Sequence, residues 1–194
     1  MPIRKPQQER ARATLGLLLD ATAALLDEGG LEQVTTNAVA ARAGVNIATL
    51  YGYFPNKYAL LGALAERLDE QRHEIIERAL SQPARSADDI AKGLEAFIDF
   101  VISEPGVAPL MDALRTTPEL SQVGADVHER ITRMLVSHLV ALRPDLGRAR
   151  AQLMSRVVVE ASSGIVGACR SSSPRRRRAL LDEHAKMVAI YLNS

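Results

Sequence analysis

Residues 35–61 constrain this chain more than any other stretch, because they read as two short helices joined by a tight turn. Thr35 or Thr36 suits a helix N-cap, where a hydroxyl accepts a bond from an otherwise unpaired first-turn amide. Ala38, Val39 and Ala43 place small apolar groups on one helical face. Gly44 follows at the point where a helix ends in a left-handed residue without steric cost. Asn46 caps a second helix whose apolar positions are Leu50 and Phe54. Pro55 stops it, since the residue before a proline is pushed out of the helical region. Two helices of about two turns joined by a glycine turn form a helix-turn-helix. Such a pair buries too little to stand alone, so a third helix must lie beneath it.

The outward side of the pair is unusual in charge. No Asp or Glu occurs between Glu32 and Glu66, although the chain carries 23 acids. The gap holds Asn37, Arg42, Asn46, Thr49, Tyr51, Tyr53, Lys57 and Tyr58. Hydroxyls, amides and two cations without a carboxylate suit a phosphate backbone. Spacing alone also fits a structural helical hairpin with a solvated polar face.

The run from Thr36 to Leu61 resembles the DNA-binding signature of the TetR family of transcriptional repressors. The resemblance rests on Ala43-Gly44-Val45, Thr49-Leu50-Tyr51-Gly52-Tyr53-Phe54, Asn56-Lys57 and Leu60-Leu61, and covers roughly the first third of the chain. It implies an all-α fold of about nine helices. A three-helix DNA-binding domain at 1–56 would precede a helical effector-binding and dimerisation domain at 57–194. It implies a homodimer that binds a palindromic duplex operator and is released by a small-molecule effector. Carried over by position, Thr36 and Asn37 begin the first helix of the pair and face the backbone or a base edge. Ile47, Ala48 and Thr49 take base-facing positions in the major groove. Tyr51 and Tyr53 offer hydroxyls to phosphates, and Lys57 offers a charge. Ile47 and Ala48 cannot hydrogen-bond, so they read only thymine methyls or shape. Direct readout then rests on Asn37, Arg42, Asn46 and Thr49.

Composition sets the wider limits. A chain of 194 residues with 47% hydrophobic content is globular rather than disordered. Its net charge of +1 makes any nucleic-acid affinity a matter of local patches. One cysteine, Cys169, excludes an internal disulfide and an all-cysteine metal site. It reads as a small buried apolar residue or, with Arg170 beside it, as a redox-sensing thiol. The first residues lack an apolar signal core, and no stretch approaches a membrane span, so a soluble cytoplasmic protein is expected.

No enzyme pattern appears. The four histidines, His73, His128, His138 and His184, have no metal-ligand spacing, and no phosphate loop follows a strand. No catalytic triad is proposed by spacing. The expectation is no enzyme, no cofactor and no metal.

The rest of the chain divides into helices. The first is expected at 8–28, with Leu15, Leu18, Leu19, Thr22, Leu25 and Leu26 on one stripe. Residues 1–7, with Arg4 and Lys5, form either a groove-touching arm or a frayed terminus. A long helix at 56–80 buries Leu60, Leu61, Leu64, Leu68, Ile75, Ile76 and Ala79. Further helices are expected at 87–103, 108–116, 118–142, 145–169 and 174–192, with a break at 81–85. Ser86 and Ser173 are caps, and Pro174 fits a first helical position. The run Arg175–Arg178 is a solvated loop end or a second nucleic-acid contact.

The last two helices carry more apolar surface than one core needs, which points to a two-fold four-helix bundle. Its seam is assigned to Met154, Val158, Ala161, Ile165, Leu181, Ala185, Val188 and Leu192. The family resemblance implies a small-molecule pocket within 57–142. Candidate lining residues are His73, Phe97, Phe100, Met111, Leu114, Arg115, Met134 and His138, and the scarcity of aromatics suggests an aliphatic pocket. Two other readings stay open: a DNA-binding protein without an effector, and a helical interaction module.

Overall fold

The structure, a computed structural model, describes residues 5–79 and 86–194, and side chains at 9–75 and 86–194. The expected break at 81–85, the side chains of Arg4 and Lys5, and those of Ile76 and Ala79 lie outside the described residues. Among the described residues nine α-helices run in the order α1 (Lys5–Gly29), α2 (Thr36–Ala43), α3 (Ile47–Tyr53), α4 (Lys57–Ala79), α5 (Ala87–Ser103), α6 (Val107–Thr116), α7 (Ser121–Leu142), α8 (Arg148–Arg170) and α9 (Pro174–Asn193), and there is no strand. None of these helices is long and apolar enough to cross a membrane.

Their ends differ from the expected ones where a short 3-10 turn intervenes. The helix expected from Pro118 opens instead as a 3-10 turn at Pro118–Leu120, and α7 starts at Ser121. The helix expected from Asp145 is preceded by a 3-10 turn at Pro144–Leu146, and Gly147 adopts φ +74° before α8 begins. That positive φ interrupts the helical path and favours glycine. At the other end of the chain, α1 begins at Lys5, inside the expected arm.

Packing groups the residues into two compact units. One comprises residues up to Leu68 with Pro105–Gly124; the other comprises Asp69–Glu104 with Ala125–Ser194. The boundary expected after residue 56 falls inside the first unit, because the start of α4 and all of α6 group with the helix-turn-helix. Leu18, Leu26, Leu50, Leu60, Leu61, Leu64 and Leu110 are fully buried in this unit. Thr22 is buried as expected, its hydroxyl donating to the Leu18 carbonyl at 2.7 Å. The start of α6 lies hard against α1. Gly106 has φ +76°, and a Cβ there would sit 2.5 Å from the Ala23 carbonyl oxygen. Its amide donates to the Asp27 carboxylate at 3.1 Å, so Gly106 is required both by conformation and by space.

In the second unit α9 packs against both α5 and α8. Ile90, Leu94, Phe97 and Ile98 of α5 meet this core, with Leu139 of α7 also buried. The residues expected at the dimer seam differ in their burial within the single chain. Met154, Val158, Leu181, Val188 and Leu192 are buried within the single chain, and Ala161, Ile165 and Ala185 are half-buried. They face inward because α9 has two neighbours in its own chain. The outward apolar side chains are instead Leu153 (65% exposed), Val157 (52%), Met187 (48%) and Ile190 (72%). Between α8 and α9, the buried Ser162 hydroxyl donates to the Val158 carbonyl at 2.8 Å and lies 3.1 Å from His184 Nε2. With the serine proton so used, the imidazole donates from Nε2.

Candidate nucleic-acid interface

Local capping builds the site. The Ala38 amide donates to Thr35 Oγ1 at 3.1 Å, which starts α2. Gly44 ends it at φ +67°, and the amide of Val45 returns to the Ala40 carbonyl at 3.0 Å. These are the hydrogen bonds of a left-handed helix end. Asn46 Oδ1 then accepts from the Ala48 amide at 2.8 Å to start α3. Phe54 before Pro55 is extended, at φ −135° and ψ 123°, and Asn56 Oδ1 accepts from the Ala59 amide at 3.0 Å to start α4. Five junctions between Thr35 and Asn56 therefore set the angles between α2, α3 and α4. Val39, Ala40, Leu50 and Phe54 point inward and are buried.

The other side of the pair is polar. Asn37, Asn46, Ala48, Thr49, Tyr51 and Tyr53 are exposed, and Thr36, Ile47 and Lys57 are half-buried. Thr36 Oγ1 lies 3.2 Å from the Tyr51 hydroxyl, which ties the start of α2 to the middle of α3. The Tyr53 hydroxyl donates to the Ala11 carbonyl at 3.4 Å. Lys57 Nζ sits 5.6 Å from the Tyr58 ring centroid, within cation–π range.

Two of the residues expected to read bases have partners within the chain. Arg42 makes a two-pronged pair with Glu28, both contacts at 2.6 Å. The hydrogen bond from Arg42 holds the Glu28 carboxyl below its ordinary pKa and raises that of Arg42. Asn46 uses its side-chain oxygen as a cap. The stretch free of acids in sequence is thus not free of acids in space, since Glu28 at the end of α1 reaches α2. Sequence spacing carries no signal for that 14-residue pairing.

The expected pocket residues are divided between the two units. Met111, Leu114 and Arg115 lie on α6 in the first unit, where Leu114 is buried and Arg115 exposed. In the second unit, His73 and Met134 line a cleft of about 540 Å³ with Asp69, Glu70, Arg72, Glu74, Arg130 and Arg133. Phe100 lines a smaller depression of about 300 Å³ with Gln71, Glu74, Ile75 and Glu104. Phe97 is buried beneath the Arg72 guanidinium, 5.9 Å from its ring centroid. His138 is half-buried, with Nδ1 at 2.9 Å from the Met134 carbonyl. The larger cleft is therefore lined by charge, not by the aliphatic groups that composition suggested. The Asp69 and Arg72 spacing along α4 was a readable sign of it.

Among the described residues no cluster of His, Cys, Asp or Glu is arranged to hold a metal ion. Cys169 is buried, and burial pushes its thiol pKa up, with Arg177 partly opposing. That environment suits a packed apolar residue better than a reactive thiol.

Comparison with known proteins places these elements. Residues 18–64 match the family described as bacterial regulatory proteins, tetR family, and residues 86–192 match the tetracyclin repressor-like C-terminal domain. The chain is 27% identical over 133 residues to the nucleoid occlusion factor SlmA of Pasteurella multocida, covering 69% of this chain and 65% of that protein. It is 48% identical over 69 residues to the HTH-type transcriptional repressor KstR of Rhodococcus jostii, covering 34% of this chain and 31% of that one. In both cases the match spans less than two thirds of the relative. A TetR-family transcriptional regulator from Streptomyces coelicolor superposes with TM-score 0.66 at 28% identity, covering 93% of this chain and 98% of the other.

Proposed function

The chain belongs to the TetR family, as a helix-turn-helix transcriptional regulator and not an enzyme, and from that premise we propose a homodimeric cytoplasmic repressor that binds a palindromic operator and is released by a small-molecule effector. The observation that carries the DNA part is the outward side of α2 and α3. Its exposed hydroxyl and amide groups are fixed by caps at both helix starts, and the Thr36–Tyr51 pair spans the two helices. Thr36, Tyr51, Tyr53 and Lys57 serve the phosphates. Asn37, Ile47, Ala48 and Thr49 face the bases. Arg42 positions α2 through Glu28, and Asn46 positions α3.

The dimer seam in this reading is Leu153 and Val157 on α8 with Met187 and Ile190 on α9. Each pair is spaced three or four residues apart, so each forms one outward patch. A copy related by a two-fold axis would cover both patches. Two recognition helices held by such a dimer meet half-sites about 34–36 Å apart. Because α4 carries residues of both units, a ligand that favours another setting of α4 would lower operator affinity, and operator would weaken ligand binding equally.

The test selects a palindromic duplex from a random library and titrates it. Tyr51→Phe should weaken binding by about tenfold on every sequence, the loss of one hydrogen bond to a charged acceptor. Sequence-independent loss supports a phosphate role; unchanged affinity contradicts it. A second reading is a DNA-binding protein with no small-molecule effector. A compound that binds and lowers operator affinity decides for the first reading.

A further inference from the structure

We propose that the cleft between α4 and α7 is an oxyanion site that takes the carboxylate of a small organic acid, anchored by Arg72 and Arg130. This rests on the effector reading above and names the chemistry of its ligand. Arg72 is only 5% exposed, although a buried guanidinium is costly unless its donors are matched. It pairs with Asp69, and Arg130 Nε donates to the same carboxylate. One carboxylate therefore serves two guanidinium groups, and this triad keeps one net positive charge. Arg72 Nε is buried with no hydrogen-bond partner among the described residues. Burial is the main force holding the Arg72 pKa below the usual arginine value, with Asp69 opposing it. One face of the guanidinium lies over the Phe97 ring, and its in-plane N–H groups carry its hydrogen-bonding capacity.

An anionic oxygen supplies what this edge lacks, an acceptor for a buried N–H and a countercharge. A carboxylate fits the fork of a guanidinium with two parallel bonds. Glu70, Glu74 and His73 also line the cleft but are exposed, so solvent and salt screen them more than the buried Arg72, while Arg130 and Asp69 are half-buried. The volume, about 540 Å³, lies within the roughly 300–1,000 Å³ range of small-molecule pockets. Met134 adds an apolar, adaptable wall for a hydrocarbon tail.

The experiment titrates the full chain with hexanoate, hexanamide, hexylammonium and inorganic phosphate by calorimetry and thermal shift. Hexanoate should bind at least tenfold more tightly than the other three. Arg130→Gln should cost hexanoate at least tenfold while leaving the helical circular dichroism unchanged. Equal binding of hexanamide, an absence of hexanoate binding, or full affinity in Arg130→Gln would overturn the site. Phosphate binding as tight as hexanoate would overturn the organic-acid assignment. If Arg130→Gln does not fold, the head-group comparison on the unaltered chain decides alone. Operator titration separates the two readings. Hexanoate binding that leaves operator affinity unchanged supports the site and removes its effector role. Operator release by hexanamide without hexanoate binding removes the site and leaves the effector reading.

Discussion

The pairs α2–α3 and α8–α9 both pack one side inward and turn the other outward, yet they are specified by different means. In α2–α3 each start and stop is written in a local residue: Thr35, Gly44, Asn46 and Pro55. Once these are placed, Leu50 and Phe54 must go in and Tyr51 and Tyr53 must go out. In α8–α9 apolar residues spread over more than one stripe, and the docking of α9 against both α5 and α8 decides which of them is core. The comparison teaches that caps fix geometry locally, whereas a wide apolar helix receives its inner face from its neighbours.

Substitutions on α9 test this most strongly. Val188→Asp places an unmatched charge in the core and should cost about 4 kcal/mol of folding stability in urea titration. Ile190→Asp, two residues later but 72% exposed, should leave the fold intact. On the proposed seam it should weaken the dimer by more than about thirtyfold, at least 2 kcal/mol, by analytical ultracentrifugation. Equal effects of the two on stability would erase the distinction between inner and outer stripes.

A smaller effect comes from the polar contact inside α8–α9. Burial lowers the pKa of His184, so the unfolded chain takes up its proton first as pH falls. The stability contributed by neutral His184 is therefore complete above its unfolded pKa, about 6.5, and is lost as pH drops below that value toward the lowered folded one. The slope cannot exceed about 1.4 kcal/mol per pH unit. His184→Gln should remove it from unfolding curves taken between pH 5 and pH 7, a window set from the unfolded value. A slope that persists would assign the pH response elsewhere.

In α2–α3 the expected cost is smaller still and purely local. Asn46→Ala removes the cap of α3 and should destabilise by about 1 kcal/mol, with a matching loss of operator affinity as the start of the helix frays. No comparable single cap carries α8, whose preceding residue Gly147 makes no side-chain cap.

The same contrast explains what was legible in the sequence. The all-α class and the helix-turn-helix were readable because their signals are short-range. Ser86 and Ser173 were read correctly as caps for the same reason. The burial of Val158 and Val188 within one chain was not legible, because helical periodicity defines stripes but does not say which neighbour each one meets. Nothing in the sequence shows that α6, which carries Met111 and Leu114, groups with α1, where Gly106 meets Ala23. The Arg42–Glu28 pair and the Arg72–Asp69–Arg130 cluster needed tertiary placement, although the Asp69 and Arg72 spacing was visible.

The most direct test of the account is a salt series of operator titrations on the unaltered chain and on Lys57→Ala. Lys57 stands at the start of α4, beside the exposed side of α3. If that side meets the phosphate backbone, binding should fall steeply with salt, and Lys57→Ala should weaken it on all sequences while lowering the salt slope by about one unit. Unchanged affinity and slope in Lys57→Ala would contradict the assignment of this face to DNA.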